Sequence, residues 1–241
     1  MNATAIQWTD YSWNPVTGCD KVSPGCRNCY AEALSKRWGR SFEVALHPER
    51  LNQVDKLEAG SRVFVNSMSD LFHEKVPFEF THDVFLNMAM RYDVKFQVLT
   101  KRPGRILEFM KWERDNAEEP SEISEIFPAN VWFGVSVESR LYLPRIDVLR
   151  KIPTHVRFIS FEPLLEDVGW FDIEGIQWVI VGGESGKNRR PFDKRWARHI
   201  LARCRMADVP FFFKQGSGIR PGMDRTLDGM EWSEFPDEVR A

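Results

Sequence analysis

The chain has 241 residues, of which 43% are hydrophobic and 28% charged, and its formal net charge is -2. That balance is typical of a globular protein and gives no global pull toward nucleic acid or an anionic membrane. No apolar run approaches membrane-spanning length, and Met1 to Ile6 lacks the basic and apolar regions of a signal peptide.

The expectation is therefore a cytoplasmic protein with no membrane partner. The length suits one large domain spanning 1–241. A weak strand candidate, Ala5-Ile-Gln-Trp8, comes first. Three of the four cysteines then fall close together in Gly18-Cys-Asp-Lys-Val-Ser-Pro-Gly-Cys-Arg-Asn-Cys-Tyr30. Tyr30 to Trp38 places Ala31, Leu34 and Trp38 on one helical face. Short β-rich runs follow at Arg62–Asn66, Val94–Leu99, Val131–Ser136, Val156–Ser160, Trp178–Val181 and Pro210–Phe213. Several are apolar enough to be buried on both faces, as strands of a parallel sheet are. Between them, helical stripes run through Phe80, Val84, Phe85 and Met88, through Ile106, Leu107 and Met110, and through Leu141, Ile146 and Leu149. A last one joins Trp196, Ile200, Leu201 and Cys204.

Alternating strands and helices predict an α/β fold with right-handed crossovers, a full or partial (β/α) barrel of about six to seven parallel strands. A doubly wound open sheet is the alternative, and periodicity does not separate the two. The acidic stretch at about 115–129 reads as a surface insertion. The tail at about 216–241, rich in Gly, Pro and charge, reads as wrapping or fraying. No helix is expected between Glu162 and Gly175.

In either architecture the functional site lies at the carboxyl ends of the strands. Those ends are polar here: Asn66-Ser-Met-Ser-Asp70, Thr100-Lys-Arg102, Ser136-Val-Glu138, Ser160-Phe-Glu162, Gly182-Gly-Glu-Ser185 and Lys214-Gln215. Gly182 and Gly183 would let a ligand approach the backbone, but the dinucleotide fingerprint is incomplete, which argues against NAD. The five histidines form no metal-ligand spacing and read as surface or structural. Cys204 reads as a small buried hydrophobe. Trp8, Trp13 and Tyr30 are candidates to line a pocket or stack on a base, with core packing the expectation for the tryptophans.

In a reducing compartment Cys19, Cys26 and Cys29 read as metal ligands or redox groups. Three thiolates on one loop leave a metal centre one ligand short, as a reactive centre requires. A three-cysteine loop after a first strand and before strand–helix units resembles the radical S-adenosylmethionine enzymes. The family's common spacing has three residues between the first two cysteines and two between the last pair; here the gaps are six and two. The Trp-Asn-Pro-Val-Thr-Gly-Cys start, the Ser-Pro-Gly-Cys-Arg-Asn-Cys-Tyr-Ala loop and Leu-Thr-Lys-Arg-Pro resemble more closely a phage-associated family with a three-cysteine motif and poorly defined chemistry.

The resemblance implies that Cys19, Cys26 and Cys29 ligate three irons of a [4Fe–4S] cluster. S-adenosylmethionine would bind the fourth and be cleaved to a 5′-deoxyadenosyl radical. By analogy of position, Asn66, Ser67 and Asp70 would contact its methionyl group, Ser136 and Glu138 its ribose, and Gly182 and Gly183 its adenine or carboxylate. Lys101 and Arg102 would take the carboxylate or a substrate phosphate. An electron donor is then a required partner, a partner protein is allowed, and nucleic acid or a nucleotide is the suggested substrate. The basic pairs Lys101-Arg102 and Arg189-Arg190 and the helix bearing Arg195, Arg198, Arg203 and Arg205 are compatible with that substrate. Two other readings remain open: a zinc-stabilised binding module closed by a histidine or Cys204, and a barrel that kept the fold without cluster chemistry.

Overall fold

Eight strands line up in one sheet in the computed structural model, which describes residues 2–117 and 126–236. They are β1 (Asn2–Ala3), β2 (Tyr11–Trp13), β5 (Arg62–Val65), β6 (Lys95–Thr100), β7 (Val131–Ser136), β8 (Val156–Phe161), β9 (Trp178–Gly182) and β10 (Phe211–Gln215), in that spatial order. The two remaining ribbons pair β3 (Val16–Thr17) with β4 (Ala45–Leu46), and β11 (Thr226–Leu227) with β12 (Met230–Glu231). All neighbours from β2 to β10 are parallel, and only the short β1 runs antiparallel to β2. Seven parallel strands thus form a curled half-barrel. Among the described residues five α-helices accompany the sheet: α1 (Tyr30–Arg37), α2 (Phe78–Ala89), α3 (Pro103–Asn116), α4 (Pro144–Leu149) and α5 (Lys194–Met206).

Both faces of this sheet are buried, which is why its strands read as apolar runs rather than alternating ones. One face of each strand supplies Val63, Val65, Phe96, Val98, Phe133, Val135, Ile159, Phe161, Val179, Val181, Phe211 and Phe213 to the core beneath the helices. The alternate residues Phe64, Trp132, Phe158, Trp178, Ile180 and Phe212 join Trp8 and Phe235 in a second, aromatic cluster. Trp178 is its centre, with ring centroids 5.5 Å from Phe158 and 5.2 Å from Phe235. On the same strand faces the sequence becomes polar toward the carboxyl ends, at Ser136, Ser160, Gly182 and Lys214. The alternation of side chains therefore builds an aromatic floor beneath a polar mouth.

The expected strands are present within one or two residues at each end. Two expectations need correction. Ala5–Trp8 is not a strand; the first parallel strand is Tyr11–Trp13, and Trp8 packs on Phe64 at 4.6 Å between ring centroids. Leu141 lies in a 3-10 turn and is exposed, so only Ile146 and Leu149 bury the face of α4. Phe127 is buried against Phe85, Phe109 and Phe133; residues 118–125 of the expected acidic insertion lie outside the described segments. In the tail, Trp232 O accepts from the Phe213 amide, and Phe235 enters the aromatic floor. Among the described residues no helix is long and apolar enough to cross a membrane.

Candidate functional site

The chain leaves β2 through β3 and turns into the cysteine loop at Gly18. That residue has φ +82, and a Cβ there would lie 2.0 Å from Glu43 O, so glycine is required. A 3-10 turn over Pro24–Cys26 follows, and α1 begins immediately after Cys29. Each stretch of the loop is tied to a different strand end.

The end of β6 holds the first stretch. Arg102 is buried, and its guanidinium donates to Asp20 O at 3.2 Å, to Glu74 at 3.0 Å and to Asp70 at 3.3 Å, with Cys19 Sγ 3.5 Å away. Asp70 is fully engaged as well. It accepts from Thr100 Oγ1 at 2.7 Å, from the Lys101 and Phe72 amides at 3.1 Å, and from Arg102. The end of β7 holds the middle stretch. Glu138 has no exposed surface and accepts from Ser23 Oγ at 2.6 Å and Arg145 at 2.9 Å, with Lys101 Nζ at 3.4 Å. Gly25 lies flat against that carboxylate, where a Cβ would meet Oε1 at 2.4 Å.

The end of β9 holds the last stretch. Glu184 accepts from Asn28 Nδ2 at 3.0 Å and from the Arg190 amide and side chain, while Arg190 also donates to Pro24 O at 3.0 Å. Burial opposes the ionisation of Glu184, but its Arg190 and Asn28 donors outweigh that and hold the carboxyl below its usual range. The Asn28–Glu184–Arg190 clamp was not legible as a site in sequence. Its only signal was an acid directly after a glycine pair, with arginines five and six residues on.

The three thiols occupy different electrostatic environments. Burial and the Asp70 carboxylate push Cys19 up to about 11, against the pull of Arg102. At Cys26 burial also raises the pKa, but a backbone hydrogen bond at Val22, the Lys101 charge and Ser23 outweigh it and leave the thiol below its usual value. Among the described residues, no three histidine, cysteine or acidic side chains gather as a single metal ion would need. The fourth cysteine, Cys204, is fully buried on α5.

The expected ligand contacts are only partly at liberty. Asn66, in the left-handed region at φ 61, is buried and accepts from the Val16 amide at 3.1 Å, although its Nδ2 is buried without a partner. Ser67 donates to Asn14, and its carbonyl accepts from Tyr30. Asp70 and Arg102 secure the loop rather than facing outward. The Ser136 carbonyl takes Arg145 at 2.7 Å. At Gly182 a Cβ would meet Glu162 Oε1 at 2.7 Å, and at Gly183 it would meet Gly216 at 2.9 Å. Those glycines serve close packing of the chain on itself. Glu162 in turn pairs with Lys214 at 2.9 Å inside the mouth. Trp8 and Trp13 are core, whereas Tyr30 is half exposed beside Cys29.

The arginine helix is also accounted for. Arg195 pairs with Asp193, Arg198 with Asp228 and Arg205 with Glu234, while Arg203 donates to Phe171 O. Arg198 and Arg205, with Lys194 on Asp224, fasten the tail to α5.

A sequence profile of the family described as "Protein of unknown function (DUF5131)" matches residues 3–236. Among solved structures, the chain is similar to spore photoproduct lyase complexed with dinucleoside spore photoproduct, with a TM-score of 0.52 and 14% identity. It is also similar to a cysteine-to-serine mutant of that lyase (TM-score 0.53, 14% identity) and to a tyrosine-to-phenylalanine mutant (0.53, 13%). Each match covers 84% of this chain and 62% of the lyase, so the chain spans less than two thirds of its structural neighbours. At this identity the likeness is one of fold. No curated protein matches the chain.

Proposed function

The chain belongs to the DUF5131 family, and for it we propose an iron–sulfur enzyme of the radical S-adenosylmethionine type. One observation carries the reading: a loop bearing three thiols is pinned across the carboxyl ends of a half-barrel by Arg102, Glu138, Glu184 and Arg190. The fold of spore photoproduct lyase, shared at low identity, supports it. That lyase is seen with a dinucleoside photoproduct, and the proposed substrate class here is likewise nucleic acid or nucleotide.

The residues present fit such a group. Cys19, Cys26 and Cys29 are three soft donors with no fourth cysteine near, and two cations, Arg102 and Lys101, stand beside them to balance thiolate charge. A single structural zinc would draw its thiolates together, each at about 2.3 Å from one ion; an iron–sulfur core takes one thiolate per iron and keeps them apart. When bound, the cluster would supply one-electron reductive cleavage of S-adenosylmethionine, giving methionine and a radical able to take hydrogen from carbon. The protein positions and shields. Arg102 fixes the backbone at Asp20, Glu138 fixes Ser23, and Glu184 fixes Asn28, so the three thiols are held in place before any ligand arrives. Trp8, Phe64, Trp132 and Trp178 close the floor against water. The Glu162–Lys214 pair and Ser160 give the mouth polar groups with which to orient a substrate.

The test is anaerobic incubation of reconstituted, reduced protein with S-adenosylmethionine. The reading expects 5′-deoxyadenosine and methionine, abolished in Cys26→Ala. Intact S-adenosylmethionine after incubation with protein of full iron and sulfide content would refute it.

A further inference from the structure

We propose that the lip of the mouth formed by three loops, 21–29, 185–190 and 216–223, is a docking surface for single-stranded nucleic acid. Arg27, Lys187, Arg189 and Arg220 would contact its phosphates. The proposal deepens the enzyme reading only by placing this surface beside the cysteine loop.

The three loops are contiguous. Asn28 donates to Asn188 O at 2.8 Å, which sets Arg27 against the stretch holding Lys187 and Arg189. The Gly186 amide donates to Gly218 O at 3.0 Å, which brings up the turn carrying Arg220. Ser217 Oγ donates to Arg190 O at 2.7 Å and completes the contact.

Charge decides the reading. None of these three loops contains an aspartate or glutamate. The three acids that border them are committed: Asp20 to His73 and Lys75, Glu184 to Arg190 and Asp224 to Lys194. Arg27, Lys187 and Arg220 are exposed, and Arg189 is half-buried with only Gly186 O as a partner; none of the four has a carboxylate partner among the described residues. Many cations elsewhere are ion-paired, among them Lys194, Arg195, Arg198 and Arg205 of α5. In a chain of net charge -2, an acid-free cationic lip around a polar mouth is a local feature, and a run of phosphates is its complement. A base must leave its stack to enter the mouth, which favours a single strand over a duplex.

The experiment is fluorescence anisotropy of a labelled single-stranded DNA oligonucleotide with reconstituted protein across a salt series. Four phosphate contacts on a single strand predict a slope of log K against log salt of about -2.8, or roughly 50-fold weaker binding after a fourfold rise in salt. The triple variant Lys187→Ala, Arg189→Ala, Arg220→Ala should keep a slope of only about -0.7. Lys187→Glu alone should weaken binding measurably, and Lys111→Ala, on the distant α3, should leave it unchanged. Thermal melting of the variants should match wild type, because none of the three side chains holds the fold. No binding by wild type, equal binding by the triple variant, tighter binding to duplex, or preferential capture by anionic lipid vesicles would each overturn the proposal. Iron and sulfide are measured on the same samples. Oligonucleotide binding without a cluster would remove the enzyme reading and leave the surface, whereas a loaded cluster without binding would remove the surface alone.

Discussion

Replacing Gly25 by alanine adds one methyl group to the cysteine loop and tests the clamp that presents the thiols. The new Cβ would lie 2.4 Å from Glu138 Oε1, 2.5 Å from its Cγ and 2.8 Å from its Cδ. Something must move. The end of a flexible side chain could yield cheaply, but Glu138 is fully buried and held by Ser23, Arg145 and Lys101. Either its carboxylate gives up the Ser23 hydroxyl, or the loop lifts and loses Arg190 on Pro24 and Asn28 on Glu184. A hydrogen bond to a charged group contributes about 1.5–3 kcal/mol, and overpacking costs about 1–3 kcal/mol. The expected local cost is about 2–3 kcal/mol, equivalent to roughly 30- to 150-fold in the equilibrium that seats the loop. The assay is resistance of the reconstituted cluster to a chelator, with thermal melting measured in parallel. Gly25→Ala should lose iron much faster at a nearly unchanged global melting temperature. If the clash is the cause, the double variant Gly25→Ala, Glu138→Ala should be no worse than Glu138→Ala alone. Wild-type iron retention in Gly25→Ala, or strictly additive losses in the double variant, would refute the reasoning.

Arg102→Lys keeps the charge but loses the fork that reaches Asp20 O, Glu74 and Asp70 at once; cluster retention should fall at least tenfold, as followed by the visible absorption of the loaded protein. In metal-free native protein near neutral pH, Cys26, whose pKa is held down, should be alkylated before Cys19, pushed up to about 11, and before the buried Cys204, pushed up to about 12. Peptide mass mapping after a short iodoacetamide pulse reads the order, and Cys204 labelled first would contradict the burial described. Trp178→Ala should destabilise the fold by about 3–5 kcal/mol, because it empties the centre of the aromatic floor and orphans the Glu234 carbonyl that accepts from Trp178 Nε1 at 2.8 Å; urea denaturation measures it.

The sheet was legible because doubly buried strands must be apolar along their whole length, and six such runs stand out from polar connections. Its first strand was not, since Tyr11-Ser-Trp13 is three residues long and carries no run. The signal at Ala5–Trp8 came instead from Trp8, which is apolar because it plugs the floor. Curling into a half-barrel was undetermined by periodicity, as an open sheet buries the same faces. The cysteines stood out by type and spacing. What the polar strand ends do was harder to read, because a carboxylate has the same letter whether it faces a ligand or ties a loop. Asp70, Glu138 and Arg102 tie the loop, and the partners that reveal this, Asp20, Ser23 and Gly25, are distant in sequence. The arginines of α5 likewise read in sequence as a phosphate-binding face, whereas Asp193, Asp228 and Glu234 pair with three of them.

The most direct test of the central claim is the iron, acid-labile sulfide and zinc content of protein reconstituted anaerobically, for wild type and Cys26→Ala. A cuboidal cluster on Cys19, Cys26 and Cys29 predicts about four irons and four sulfides per chain, lost in the variant. Stoichiometric zinc without sulfide, or unchanged iron in Cys26→Ala, would contradict it.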